Sequence, residues 1–293
     1  MAKIIVCSAQ KGGCAKTVTT HNLSVALSLM GYKVLAVDMD CQANLTTCLG
    51  IENVDAIPIG IAHLLAAQLE DEELPEKELY IQHCGLVDLI PASSYLSAVS
   101  ETMRLEMGSE RFLAMILEPL KKDYDFILVD TGPKLDNLNI YALIAADQVL
   151  IPVNPQFLSA MGLESLMKTI KKVKRRFNPN LEIAGVLFTM CERRTSLCKV
   201  IKEQILEEYE GRLHIFQSSI PMTIKVGEAV YYAKSIIEYL PSSPASIGYQ
   251  NLARELLGAE LLPLPNRKKE KTDGEVRIVA AAEFKKEVES NCS

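Results

Sequence analysis

The sequence predicts an α/β fold with a doubly wound, mainly parallel sheet and helices on both faces. Three observations support this class. Short runs rich in β-branched residues alternate with longer segments of helical period, the runs are almost continuously apolar, and 293 residues are enough to bury a sizeable core. Continuous apolar runs are typical of strands covered on both faces, and the helices between them suit right-handed crossovers.

The predicted strands follow one another at the spacing that crossovers require. They cover residues 3–9, 33–40, 86–92, 125–131, 148–154, 182–190 and 213–221. A helix is predicted from about Lys16 to Met30. The clearest helical period lies in residues 159–177, whose apolar stripe consists of Leu163, Leu166, Met167, Ile170, Val173 and Phe177. Basic residues occupy much of the rest of that segment, and a solvated helix face is their simplest interpretation.

The composition changes after Leu262. We predict one domain over residues 1–262 and a charged linker with a short C-terminal tail over residues 263–293. Residues 263–277 contain prolines and then a dense run of charges, which is typical of a linker or disordered segment. Residues 278–290 have the pattern of a short terminal helix.

Bulk properties narrow the functional classes. A net charge of −6 argues against a protein that coats nucleic acid over its whole surface, although a local basic patch stays open. The sequence has no apolar run long enough for a membrane span, and its start favours a strand over a secretory signal, so we expect a cytoplasmic protein. The eight cysteines include no C-x-x-C pair, which favours free thiols over zinc ligands or disulfides.

The stretch "QKGGCAKT" (residues 10–17) lies between the first predicted strand and the first predicted helix. Backbone N–H groups at a helix N-terminus form an anion site, Lys16 reaches phosphates from there, and the Thr17 hydroxyl is a magnesium ligand. The common phosphate-loop pattern G-x-x-x-x-G-K-[ST] would require glycine where this chain has Gln10 and Ala15. The stretch is therefore a phosphate-loop candidate with an unusual composition.

Carboxylates follow two of the predicted strands. Asp38 and Asp40 end the second strand, and Asp130 ends the strand over residues 125–131. Turn formation or helix capping explains any one such aspartate, but three of them beside a phosphate loop favour magnesium and an attacking water.

Several separated motifs resemble one known family. The loop matches K-G-G-x-G-K-[ST] through Lys11, Gly12, Gly13, Lys16 and Thr17. "DMDCQAN" resembles D-x-D-P-Q-x-N, "YDFILVDTGP" resembles Y-D-x-I-x-x-D-x-P-P, and "SIPMTIKVGEAV" resembles I-P-R-x-x-x-x-x-E-A. On these motifs the chain is similar, over roughly residues 2–257, to the ParA/MinD family of deviant Walker-A ATPases, and specifically to its ParA/Soj partitioning branch. The resemblance implies a Rossmann-like P-loop NTPase fold.

The resemblance also implies a role for each matched residue. Lys11 would reach across a homodimer interface to the partner's phosphates, like an arginine finger, and ATP would hold the two subunits together. Asp40 would help to place the attacking water, and Thr17 would bind Mg²⁺ with Asp38 and Asp130 acting through its water shell. The implied nucleotide-binding residues are Lys11, Gly12, Gly13, Cys14, Ala15, Lys16, Thr17, Val18, Pro221 and Met222.

The chain departs from the family pattern at a few positions. Ala15 replaces a glycine, and if that position needs a positive φ the alanine costs on the order of 1 kcal/mol and slows turnover. Smaller departures are Cys41 for proline, Ala43 for glycine, Gly132 for proline and Met222 for arginine. The first three remove no reactive group, whereas Met222 leaves one fewer basic residue. An ATP-binding switch with impaired hydrolysis is therefore one alternative.

The resemblance favours a DNA-partitioning function. Its implied DNA-binding residues are Arg193, Arg194, Lys199 and Lys225, which would contact phosphates without reading sequence. The implied partners are non-specific DNA and a ParB-type activator, and the protein would associate with the nucleoid. No segment for operator recognition is expected before the first strand.

Two other classes compete. A MinD-like membrane cycle needs a basic amphipathic helix, and the acidic residues in 278–290 make that segment a weak anchor, so we expect no stable membrane association. An electron-delivering ATPase such as the nitrogenase iron protein needs paired cysteines that this sequence lacks, and we set it aside.

Overall fold

A computed structural model describes residues 1–155, 157–192, 196–209 and 211–264, with the backbone alone at 157–161 and 196–199. Its strands are β1 Lys3–Cys7, β2 Val34–Met39, β3 Gln82–Cys84, β4 Val87–Ile90, β5 Phe126–Thr131, β6 Gln148–Val153, β7 Glu182–Cys191 and β8 Ile215–Pro221. Its helices are α1 Lys16–Leu29, α2 Asn44–Cys48, α3 Ile61–Leu69, α4 Tyr95–Met103, α5 Phe112–Leu117, α6 Asn137–Ala145, α7 Phe157–Arg176, α8 Ser196–Tyr209, α9 Ile224–Tyr231, α10 Ile236–Tyr239 and α11 Pro244–Leu256.

The strands form one sheet in the order β3-β4-β2-β5-β1-β6-β7-β8. All neighbours pair in parallel except β3, which runs antiparallel to β4 at one edge. The doubly wound, mainly parallel sheet is therefore confirmed. Strand β3 was not predicted, because three half-buried or exposed residues at a sheet edge form no apolar run that the sequence would show.

Helices cover both faces of the sheet, as the apolar strands predicted. In β1, Ile4 and Val6 belong to one buried cluster and Ile5 to the other, because successive side chains of a strand point to opposite faces. The first cluster includes residues of α3 to α8, and the second includes residues of α1, α10 and α11. Since parallel strands end at a common edge, the residues after β1, β2 and β5 meet there.

The apolar stripe of α7 is confirmed except at its last member. Leu163, Leu166, Ile170 and Val173 are buried, but Phe177 is 39% exposed. The helix ends at Arg176, so the helical period no longer applies to residue 177. The next residue, Asn178, caps the C-terminal end of α6 instead, because its Nδ2 donates to the carbonyls of residues 143, 144 and 146.

The proposed domain boundary falls near the end of the described chain. Leu262 is held to α11 by two hydrogen bonds with the Asn251 side chain, of 2.7 and 3.0 Å. Residues 265–293 lie outside the described residues, so the linker and terminal helix stay predictions. Among the described helices, none is both long and apolar enough to cross a membrane.

Candidate nucleotide-binding site

The loop from β1 to α1 has the backbone shape of an anion-binding turn. Gly13 has a φ of +73°, and Ala15 follows in the left-handed region at φ +58° and ψ +36°. Within the described structure, no side chain caps the N-terminus of α1 and no acidic residue stands in its first turn. The first N–H groups of α1 and the positive end of its dipole are therefore available to an anion.

The positive φ that the sequence analysis considered for Ala15 is present. A second alanine behaves in the same way, since Ala43 has a φ of +50° at the N-terminus of α2. These are the two positions where the family pattern has glycine and this chain has alanine. Each β-carbon in the left-handed region costs roughly 1 kcal/mol, and the chain folds in spite of both.

Side chains of strands β7 and β1 contact the backbone carbonyls of the phosphate loop. The Thr189 hydroxyl of β7 donates to the Cys14 carbonyl at 3.0 Å, and the Cys7 thiol lies 3.5 Å from the Lys16 carbonyl. Cys14 itself is buried, which agrees with a small residue filling an apolar position. These contacts hold the loop in shape without using its outward N–H groups.

Two buried carboxylates face each other across neighbouring strands. Asp38 of β2 and Asp130 of β5 are register partners, and both are fully buried. Burial raises the pKa of each, and their mutual repulsion adds to the rise at Asp130, while the nearby Thr17 hydroxyl and Lys16 ammonium oppose it. Holding both as anions requires positive charge from the loop or from a bound cation.

The two carboxylates differ in their hydrogen bonds. Asp38 accepts from the Thr46 N–H at 2.9 Å, from the Thr46 hydroxyl at 2.8 Å and from the Asp40 N–H at 3.1 Å. Asp130 accepts from the Thr20 hydroxyl through Oδ1 at 3.3 Å. Its buried Oδ2 has no described donor in hydrogen-bond geometry, although the Thr17 hydroxyl is near enough to lower the Asp130 pKa. An unpaired buried oxygen of this kind is what the water shell of a magnesium ion would satisfy. The residues therefore fit the implied metal, with Asp130 as the better-prepared carboxylate.

Asp40 lies at the mouth of the site beside a glycine. It is 8% exposed, and its Oδ1 accepts from the Gln42 N–H at 3.1 Å. A β-carbon added at Gly132 would come within 3.3 Å of that same Oδ1. Gly132, which replaces a family proline, thus leaves the Asp40 carboxylate more room.

The two lysines of the loop are placed differently. Lys16 is 7% exposed and close enough to Asp130 to affect its pKa. Lys11 is half-buried beside Ile151 and Pro152 of β6, and it makes no ion pair with a described residue. Lys16 therefore belongs to the chain's own site, whereas the Lys11 ammonium is available to another group.

The remaining predicted residues lie at the far end of the same edge. Pro221 ends β8, and the Met222 N–H donates to the Cys191 carbonyl of β7 at 3.1 Å, with the Met222 side chain 57% exposed. Lys225 is the second residue of α9 and forms an ion pair with Glu228 at 2.7 Å. Arg193 and Arg194 lie outside the described residues, and Lys199 is described only as part of the α8 backbone.

Three residues that shape the site were not predicted from the sequence: Thr46, which donates to Asp38, Thr189, which donates to the Cys14 carbonyl, and Asn139. Its buried side chain accepts from the Ser8 hydroxyl at 2.8 Å and donates to the carbonyls of Gly132 and residue 134 at 3.1 and 2.7 Å. These are ordinary polar residues whose partners are distant in sequence, so no local spacing marks them.

A strand, a glycine-bearing turn and an uncapped helix N-terminus, with a buried lysine facing two aspartates, define the chain as a P-loop nucleotide-binding protein. A family model described as an AAA domain matches residues 2–183. The chain is 34% identical over 258 residues to the sporulation initiation inhibitor protein Soj of Bacillus subtilis, covering 87% of this chain and 98% of that protein. It is 33% identical over 266 residues to the chromosome partitioning protein ParA of Caulobacter vibrioides, covering 88% of this chain and 95% of that protein.

A solved structure agrees with these relatives. Cobyrinic acid a,c-diamide synthase from Mycobacterium smegmatis, with bound ADP and magnesium, superimposes with a TM-score of 0.75 at 28% identity, covering 88% of this chain and 94% of that one. The chain therefore belongs to the ParA/MinD family of P-loop ATPases.

Proposed function

We propose that this protein is an ATP-dependent dimerising ATPase that binds DNA without sequence specificity and drives plasmid or chromosome partitioning with a ParB-type partner. The observation that carries the proposal is the uncapped phosphate loop facing Asp130 and its unpaired oxygen. Similarity to a chromosome partitioning protein over 88% of the chain supports the cellular role.

In this proposal the chain binds ATP through the loop and the N-terminus of α1. Gly12, Gly13, Cys14, Ala15 and the following residues surround the phosphates, Lys16 neutralises them, and Pro221 and Met222 border the nucleotide. Mg²⁺ would be held by the Thr17 hydroxyl, with Asp130 and Asp38 acting through water, and it would supply charge neutralisation at the phosphates. Asp40 orients the attacking water, and Asp38 fixes the Asp40 backbone through its hydrogen bond.

Dimerisation rests on Lys11. Its ammonium makes no ion pair within the described chain, and the loop that carries it is exposed at Gly12 and Gly13. A second subunit placed against this edge would bring Lys11 to the partner's phosphates, where a cation stabilises the charge that develops during phosphoryl transfer. Lys11→Gln should abolish ATP-dependent dimers and leave ATP binding by the monomer nearly unchanged. Sedimentation velocity with ATP and Mg²⁺ is the measurement, and unchanged dimers would contradict this role.

DNA binding is assigned to Lys225 together with Arg193, Arg194 and Lys199. The Lys225–Glu228 ion pair must open or be shared when a phosphate binds, because the ammonium already contacts both Glu228 oxygens at 2.7 and 3.1 Å. The affinity that phosphate contacts supply falls as the salt concentration rises, and it does not depend on the base sequence of the DNA.

The decisive experiment compares ATP-dependent retention on random-sequence DNA with retention on anionic liposomes across a salt gradient. We expect retention on DNA alone, and its loss in Arg194→Ala/Lys225→Ala with ATP binding intact. Lys77→Ala/Arg104→Ala removes the same charge from ion-paired positions elsewhere and is the matched control. Unchanged retention by the first variant would refute the assigned surface. Retention on liposomes alone would favour the MinD-like alternative.

A second candidate is an ATP-binding switch with impaired hydrolysis, which the left-handed Ala15 favours. Its β-carbon stands at the last loop position before Lys16, where the family has glycine. Single-turnover hydrolysis with and without a partner-derived activating peptide separates this candidate from the first. Hydrolysis at the same rate as the Ala15→Gly variant would rule it out.

A further inference from the structure

A second concave site lies at the edge of the sheet opposite the phosphate loop. It is a cleft of about 400 Å³ between α7 and the segments that enter β7 and β8. Its residues include Ile183 near the start of β7, whereas Thr189, which contacts the phosphate loop, stands six positions further along. At about 3.3 Å per residue of strand, the two sites are roughly 20 Å apart. The cleft therefore cannot be part of the nucleotide site.

The floor of this cleft is apolar. Met167 and Ile170 contribute from α7, Ile183 from β7 and Leu213 from the segment before β8. Ile170 is buried, while Met167, Ile183 and Leu213 are half-buried and pack against the core from the cleft side. The volume is in the range of sites that enclose a few side chains.

Cations form the rim. Lys171 and Lys174 stand on neighbouring turns of α7, and Arg212 faces them from the turn before β8. All three are exposed, and none makes an ion pair with a residue that the structure describes. The same helix does neutralise another lysine, since Lys168 pairs with Glu164 at 2.7 Å. The three rim cations thus have no ion-pair partner within the part of the chain that the structure describes.

Two other ionisable side chains line the cleft. The exposed Glu182 carboxylate accepts from the Gln148 side chain at 3.4 Å, and because that donor is a neutral amide the carboxylate keeps its negative charge. His214 Nε2 lies 3.6 Å from the Glu255 carboxylate, and its ring packs edge-on against Phe216. Three cations against the one carboxylate of Glu182 leave the described lining of the cleft with an excess of positive charge.

We propose that this basic cleft, formed by Lys171, Lys174 and Arg212 around the apolar floor, binds an acidic segment of a partner protein. At least one apolar side chain of that segment fills the floor, and flanking Asp or Glu side chains meet the cations at the rim. Arg212 presents a planar fork that suits a carboxylate, and buried apolar anchors with arginine contacts are the usual centres of protein interfaces.

The chemistry of the cleft favours a protein segment over nucleic acid. Phosphate backbones do not use an apolar floor, and single strands need aromatic platforms, whereas the ring of His214 is the single aromatic group among the described cleft residues. The position also differs from the proposed DNA face, because Lys225 follows the carboxyl end of β8 and the cleft lies at its amino end. The cleft would therefore let the protein hold a partner while both the nucleotide and DNA are bound.

The test uses the full chain and a phage-displayed library of short random peptides. We expect enriched peptides to combine acidic residues with an apolar residue, and to bind Lys171→Gln/Lys174→Gln/Arg212→Gln about tenfold more weakly, as three partly exposed ion pairs imply. The matched control is Lys172→Gln/Arg175→Gln/Arg176→Gln, which removes equal charge from α7 outside the cleft and should keep full affinity. ATP binding measured on both variants reports that each is folded.

Three results would overturn the proposal. The enriched peptides lack acidic residues, or the cleft variant binds them as well as the wild type does, or the control variant loses as much affinity. Random-sequence duplex DNA is the parallel probe. DNA retention that falls only in the cleft variant, with no acidic peptide enriched, would assign the cleft to phosphate instead. None of these outcomes depends on the nucleotide site, so failure here leaves the proposed ATPase function in place.

Discussion

The loop after β1 and the loop after β2 share one backbone feature and differ in what surrounds it. Each ends in an alanine in the left-handed region, Ala15 at φ +58° and Ala43 at φ +50°, directly before a helix without a side-chain cap in the described structure. The first loop exposes Gly12 and Gly13, whose N–H groups donate no hydrogen bond to another residue that the structure describes. The second is closed by hydrogen bonds of its own, including those that Asp40 accepts from Gln42 and donates through its backbone to the strand.

The difference indicates that the two loops at this sheet edge have different roles: the first is available to bind a ligand, and the second holds the neighbouring carboxylates in place. The first loop is held through its carbonyls, by Thr189 at Cys14 and by Cys7 at Lys16, and its N–H groups gain partners when an anion binds. A turn whose acceptors are already satisfied cannot gain much from a ligand, but it fixes the carboxylates around the ligand. We therefore expect substitutions in the first loop to change affinity and substitutions in the second to change stability.

The largest expected effect is in the first loop. Lys16→Gln removes a buried ammonium that faces the phosphates and should weaken binding of ATP by about 2–5 kcal/mol, the usual result of deleting one partner of a buried charged pair. Isothermal titration with ATP and Mg²⁺ measures the affinity, and thermal unfolding of the nucleotide-free protein measures stability. An affinity within a few fold of wild type would contradict the comparison.

The helix that follows the first loop carries a pH-dependent element. Burial lowers the pKa of His21 to about 4, against an opposing attraction from Glu238, and its Nδ1 has no partner among the described residues. The pKa of His21 in the folded protein lies below its value of about 6.5 in the unfolded chain. The folded state therefore has its full stability from this residue above pH 6.5 and loses it as the pH falls towards 4. Asp38 and Asp130 act in the opposite direction, because burial raises their pKa values. The contribution of His21 to the free energy of unfolding should fall by up to about 3 kcal/mol over that range.

His21→Gln should remove most of that pH dependence while leaving the affinity for ATP at pH 8 unchanged. Chemical unfolding at a series of pH values is the measurement. A variant with the same slope as the wild type would show that another group is responsible.

In α2, the helix that follows the second loop, Thr46→Val should mainly reduce stability. It removes the hydroxyl that donates to Asp38 at 2.8 Å and accepts from the Ala92 N–H at 3.0 Å, with a cost of about 1–3 kcal/mol for hydrogen bonds to a charged or buried partner. Thr47→Val is the matched control, because that hydroxyl donates only to the Ala43 carbonyl. If Thr46→Val weakens ATP binding more than it weakens the fold, the two loops are not separate in the way described here.

The smallest effects compare the two alanines directly. Ala15→Gly and Ala43→Gly relieve the same left-handed strain, and each should change the free energy of unfolding by less than about 1 kcal/mol. Only Ala15→Gly should also raise the rate of ATP hydrolysis, because only Ala15 borders the phosphates. Paired measurements of unfolding and single-turnover hydrolysis test this. An equal gain in hydrolysis from Ala43→Gly would mean that backbone strain, and not the β-carbon at the phosphates, limits turnover.

Most of the central fold was accessible from the sequence. The long strands β1, β2, β5, β6 and β7 were predicted within about two residues because a doubly covered strand needs an unbroken apolar run. The edge strand β3 and the end of α7 were not, since neither an exposed edge nor the last turn of a helix has a strong periodic signal. The ion pair of Lys225 with Glu228 has the i, i+3 spacing of a helix, so local pattern could have revealed it.

The sequence by itself determined the sheet, the position of the phosphate loop and the identity of its lysines and aspartates, because these depend on residues that are neighbours along the chain. Only the tertiary structure decided that Asp130 keeps an unpaired oxygen while Asp38 is fully hydrogen-bonded, and that Thr189 supports the loop from 175 positions away. Burial and hydrogen-bond pairing are properties of groups that folding brings together, and two aspartates with the same local sequence pattern acquire different chemistry from their different surroundings.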